Sequence, residues 1–145
     1  MDKEELKQKL LGTNYFIDNN YLEDYCNLII INLDRSKEKY KTESHHILPQ
    51  CYFKLINQSV NNSKENKVNL YYSDHLLVHY YLALCTIKNL KYRLSIAFSH
   101  LLGSNKRVLD FDIKEYLPKY QEIKECHSKG TSEYWKNISR EKKEE

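Results

Sequence analysis

Glycine and proline are scarce in this chain, three and two among 145 residues. An all-β fold needs many tight turns, so the shortage favours a helix-rich architecture. No run of 18 apolar residues exists, which speaks against a membrane-spanning helix. The start, Met-Asp-Lys-Glu-Glu, carries no apolar leader, so no export signal is expected. The four cysteines, Cys26, Cys51, Cys85 and Cys126, form no C-x-x-C, which argues against a zinc ribbon or a redox dithiol. Without export the thiols are expected to be reduced and the protein intracellular, with no membrane partner. The net charge of +3 is too small to announce a nucleic-acid binder by itself.

Tyrosine, by contrast, is abundant, 13 against one tryptophan. Such rings can be half-buried while their hydroxyls serve phosphate or water. Charge is also unevenly placed. From Lys88 to Arg107 the basic residues are Lys88, Lys91, Arg93, Lys106 and Arg107, with no acidic one between. Residues 35–41 carry four basic residues against Glu38 alone. Either run can be a phosphate-tracking surface or an ordinary solvated face.

At this length one domain with a sizeable core is expected. Residues 3–11 read as a short charged helix stopped at Gly12. Asp18 is placed to cap a second helix, with Tyr21, Leu22, Tyr25, Leu28 and Ile29 at helical spacing. Residues 42–48 read as a strand ending at Pro49, and 50–65 run out into a polar loop. Lys67–Tyr72 alternates as a second strand, after which Ser73 is the expected cap of a helix reaching about Ile87. That helix is apolar almost all round, which predicts a central buried element. Leu90–Leu102 follows as an amphipathic helix closed by Gly103, with a short helix from Pro118 to His127 and a charged last helix after Gly130. The expected class is α+β, mostly α.

Four of the six histidines fall between His45 and His79. His75 and His79, four residues apart, share one helical face and can grip one metal ion. His45 and His46 are adjacent on the expected strand, so they point to opposite faces. One can turn to the helix as a third ligand and leave the other as a base. The positive end of the helix dipole keeps His75 and His79 in the neutral form that a metal needs. His100 and His127 lack partners at useful spacing and read as surface residues.

The two stretches read E-x-H-H-I-x-P, from Glu43 to Pro49, and N-x-V-x-L-x-x-x-x-H-x-x-x-H, from Asn66 to His79. This pattern resembles the HNH nucleases of the ββα-metal fold, in the phage and homing flavour whose histidines are arranged as in colicin-type nucleases. The resemblance implies a two-stranded hairpin and a helix at 42–88, between a helical N-terminal segment, 1–41, and a C-terminal helical extension, 89–145. It also implies that His45, His75 and His79 are metal ligands, that His46 is the general base, and that Asn66 pins the loop holding the base. Asn69 is a rival for Asn66, but the nine-residue step from Asn66 to His75 fits the family better. Glu43 is either an outer partner that orients an imidazole or a nearby cation, or a solvated strand glutamate. Members often carry Gly-Gly after the proline and Leu after the asparagine; here those places hold Cys51-Tyr52-Phe53 and Lys67.

The implied reaction is hydrolysis of phosphodiesters in double-stranded DNA, leaving 5′-phosphate and 3′-hydroxyl ends, with one divalent ion. Three imidazoles suit Zn²⁺, Ni²⁺ or Mn²⁺ better than the harder Mg²⁺, and the residues do not choose among them. The competing reading is a non-catalytic nucleic-acid-binding module with a structural ion. A structural site is usually closed by four ligands, often cysteines, and here none lies at ligand spacing while His46 is surplus to coordination. The Lys88–Arg107 segment is the expected phosphate track, and Trp135 belongs either to a DNA-contacting tail or to the packing of the last helix. Pairing of two copies on a palindromic site is left open.

Overall fold

The computed structural model describes residues 1–102, 113–118, 120–126 and 129. Helix α1, Lys3–Leu11, starts at Asp2, whose carboxylate accepts from Glu5 N at 2.8 Å, and ends at Gly12. Such a cap is worth about 1 kcal/mol. Helix α2, Asn20–Asn32, is capped by Asn19 rather than by Asp18, the residue expected for that role. The Asn19 carboxamide accepts from Leu22 N at 3.0 Å, while Asp18 is engaged with Lys7 Nζ at 3.0 Å. Leu6 and Leu10 of α1 and Leu22, Tyr25, Cys26 and Ile29 of α2 are all buried.

Strand β1, Thr42–His46, stops two residues before the expected end. A six-residue helix, α3, Gln50–Leu55, follows Pro49 where the sequence predicts only loop. Its signal is weak, because one and a half turns show too little periodicity to be read. A 3₁₀ turn at Lys64–Asn66 leads into β2, Lys67–Tyr71. The strands are antiparallel, with Glu43 opposite Leu70 and His45 opposite Val68. Leu70 and Val68 are buried, so the face shared by Glu43 and His45 is the inner one.

Helix α4, Tyr72–Cys85, begins directly at the end of β2. Ser73 lies inside its first turn and not at the cap. The Ser73 N–H instead donates to the Gln121 side-chain oxygen at 2.7 Å, so a distant residue fills a position that local capping usually fills. Helix α5, Lys88–Leu102, turns Leu90, Leu94 and Phe98 inward. Residues 113–118 and 120–126 are also helical. The described fold is therefore α+β and mostly helical.

Helix α4 is the hub. It packs between α2 and α5 and lies against both strands. Val78 and Leu82 join the core that α1, α2, the sheet and α5 share, while Tyr72 and Leu76 join a second cluster with Phe98, Ile113 and Tyr120. The α1–α2 and α4–α5 connections are laced together, with Ile17 N donating to Cys85 O at 2.9 Å and Ile87 N to Tyr15 O at 3.0 Å. No helix among the described residues is long and apolar enough to cross a membrane.

Candidate metal centre

Three histidines meet where the inner face of β1 rests on the first two turns of α4. His45, His75 and His79 each offer a ring nitrogen, and the three nitrogens lie within 4.8 Å of one another. Local periodicity explains the convergence: α4 stacks His75 beneath His79, and strand alternation turns His45 toward them and His46 away.

The hydrogen bonds fix which nitrogen is free. Tyr25 of α2 donates its hydroxyl hydrogen to Ile47 O at 2.6 Å, and the same oxygen lies 3.0 Å from His45 Nε2. A phenol has one hydrogen to give, so His45 Nε2–H must be the donor, which leaves the Nδ1 lone pair free. His75 Nδ1–H donates to Glu43 Oε1 at 2.6 Å and so offers its Nε2. That nitrogen is 3.1 Å from His79 Nε2, and only one hydrogen can lie between them. Two ligand nitrogens around a tetrahedral zinc ion sit about 3.3 Å apart, close to this separation. His79 Nδ1 is buried without a hydrogen-bond partner among the described residues, so no bond there fixes which nitrogen of that ring carries the hydrogen. These residues fit a divalent ion.

Electrostatics agree. Burial, reinforced by the neighbouring histidines, pushes His45 well below its ordinary value. Burial and His75 lower His79 to about 3. Both rings are therefore neutral at pH 7, as a ligand must be. Burial would raise Glu43, but the hydrogen bond and charge of His75, with Lys124, outweigh it and hold the carboxyl below its usual range.

His46 lies on the opposite face of β1. Its Nε2 is 2.9 Å from Asn62 Oδ1 and its Nδ1 is 3.3 Å from Gln50 Nε2. Asn66 is buried and joins three segments: Oδ1 accepts from Leu48 N at 2.9 Å, and Nδ2 donates to Leu48 O at 3.2 Å and to Asn61 O at 3.0 Å. Asn69 instead bonds Arg35 O at 3.0 Å, away from that loop. A cavity of about 720 Å³ opens on the same side, lined in part by Arg35, Ser44, Asn62, Lys64, Lys67 and Asn69.

Of the expected phosphate track, Lys88, Lys91 and Arg93 are exposed on α5. Lys91 Nζ donates to Ala83 O at 2.8 Å and so closes the carbonyl end of α4. Lys106, Arg107, His127 and Trp135 lie outside the described residues. Sequence alone does not single out Tyr25, Asn62 or Gln50 for the site. Tyr25 reads there as one more apolar-face aromatic, and the two amides as ordinary loop polarity.

The chain is 30% identical over 131 residues to a protein of Enterobacteria phage T4 described as "Probable mobile endonuclease D". The match takes in 86% of this chain and 48% of that protein, so the chain spans about half the length of the curated relative it matches. No family model and no solved structure matches the chain.

Proposed function

We propose that this chain is a metal-dependent endonuclease unit of the HNH type that hydrolyses DNA phosphodiester bonds. The observation that carries the proposal is three neutral-capable imidazoles from a strand and a helix meeting within 4.8 Å, with a fourth, His46, adjacent and left out of the cluster. The similarity to a phage endonuclease, together with the strand–strand–helix order, supports the same reading. His45, His75 and His79 hold the ion, and Glu43 orients His75. When bound, a divalent ion supplies positive charge to a phosphate oxygen and to the leaving 3′ oxygen. His46 takes the proton from the attacking water, and Asn66 holds the turn after His46 against the Asn61 loop.

DNA is the proposed partner. Lys88, Lys91 and Arg93 form one surface for its phosphates, and the cleft with Arg35, Lys64 and Lys67 forms a second. A non-catalytic binding module with a structural ion is the competing reading, and the surplus His46 argues against it. Nicking of supercoiled plasmid with added Zn²⁺, Ni²⁺, Mn²⁺ or Mg²⁺, and its loss with chelator, tests the proposal. Tight metal and DNA binding without nicking under any ion would favour the module.

A further inference from the structure

Both ring nitrogens of His46 are occupied by side-chain amides, and the two amides agree on one tautomer. The oxygen of Asn62 faces Nε2 at 2.9 Å, a position that only an Nε2–H can use. The amide nitrogen of Gln50, at the start of α3, faces Nδ1 at 3.3 Å and donates to a lone pair there. Asn62 is exposed but does not hang free. Asn61 O accepts from the buried Asn66, and Asn61 Oδ1 accepts from Ser63 N at 3.0 Å, so the residues on either side of Asn62 are fastened. Asn66 thus ties the turn after His46 and the loop carrying Asn62 into one unit.

We infer that Asn62 is a positioning residue for His46: it holds the hydrogen on Nε2, so Nδ1 is the nitrogen that accepts the proton of the attacking water. The inference rests on the proposed nuclease reading for its chemistry, but the tautomer is a property of the protein alone. Gln50 occupies the lone pair where that water must sit, and its amide swings aside when the water binds. The water O–H bond breaks and its proton goes to Nδ1; the oxygen forms a new P–O bond as the P–O3′ bond breaks, and the 3′ oxygen leaves with that bond's electron pair and takes a proton from solvent water. Asn62 gives up no proton. It accepts a hydrogen bond that strengthens as the ring gains charge.

The test uses the full chain with Zn²⁺, which is diamagnetic. Ring ¹⁵N spectra at one fixed pH, with His46 assigned by its absence in His46→Ala, should show a pyridine-type Nδ1 in the wild type. Asn62→Leu should give a mixture of tautomers, and Asn62→Asp should restore the wild-type pattern. In cleavage, Asn62→Leu should lower kcat by about 10- to 100-fold with KM little changed, and Asn62→Asp should recover most of it. A pyridine-type Nε2 in the wild type, or an unchanged tautomer in Asn62→Leu, overturns the inference. If no variant cuts DNA, the nuclease reading fails, and the spectra still decide the role of Asn62.

Discussion

At the residue scale, His45 and His46, neighbours on one strand, are proposed to have different duties because their side chains leave the backbone on opposite faces. His46→Ala should lower cleavage by about 10²- to 10⁴-fold while metal affinity, read by calorimetry, stays within a few-fold. His45→Ala should lose both. Metal binding lost in His46→Ala and kept in His45→Ala would exchange the two roles. Tyr25 makes a sharper case, since its hydroxyl alone fixes the free nitrogen of His45. Tyr25→Phe strands two buried groups, the Ile47 carbonyl and the His45 N–H. It should cost about 1–3 kcal/mol in denaturant unfolding. It should also weaken metal binding about 10- to 100-fold, as loss of an outer partner does. An unchanged affinity would mean that His45 is oriented by packing alone.

At the element scale, α4 carries two of the three imidazoles on one face and the core on the others. Metal should therefore raise the melting temperature of the wild type, and barely that of the His75→Ala, His79→Ala double variant, because binding only the folded state stabilises it. Equal shifts would put the ion elsewhere. Helix α5 tests the phosphate track. Removing charge at Lys88 and Arg93 should weaken DNA binding for every sequence. It should also flatten the log affinity–log salt slope by about 0.9 for each phosphate that the protein no longer neutralises. Lys91→Ala should in addition lower stability, since its ammonium caps the carbonyl end of α4. An unchanged slope returns α5 to a solvated face.

At the scale of the whole molecule, burying neutral histidines makes the metal-free fold sensitive to acid. The folded values of His45 and His79 lie below the unfolded 6.5, so as the pH falls below 6.5 the unfolded chain binds more protons at both rings, for His79 down to about 3. Stability is then fully present above pH 6.5 and falls as the pH drops, by up to about 1.4 kcal/mol per pH unit for each histidine. Glu43, lowered from 4.5, adds to the loss below that pH. Thermal melts of the chelated protein from pH 8 to 4 should show a decline that begins near 6.5. A melting temperature flat to pH 5 would mean that these rings are not held neutral.

What the chain determined by itself is what repeats locally. A four-residue step puts His75 and His79 on one helical face, a one-residue step sends His45 and His46 apart, and alternation into a helical period marks β2 and α4. These are consequences of backbone geometry and need no knowledge of the rest of the molecule. The tertiary structure decided who completes each of them. Tyr25 reaches His45 across 20 positions, Asn62 reaches His46 across 16, Glu43 reaches His75 across 32, and Gln121 supplies the α4 cap across 48. Ser73 and Asp18 are reasonable caps on local grounds and are displaced by such long-range partners or by neighbours with better geometry. Over those separations local periodicity does not choose the partner, and for Glu43 it leaves two readings open, because packing of the buried faces sets which polar groups meet and only the folded core brings them within a hydrogen bond.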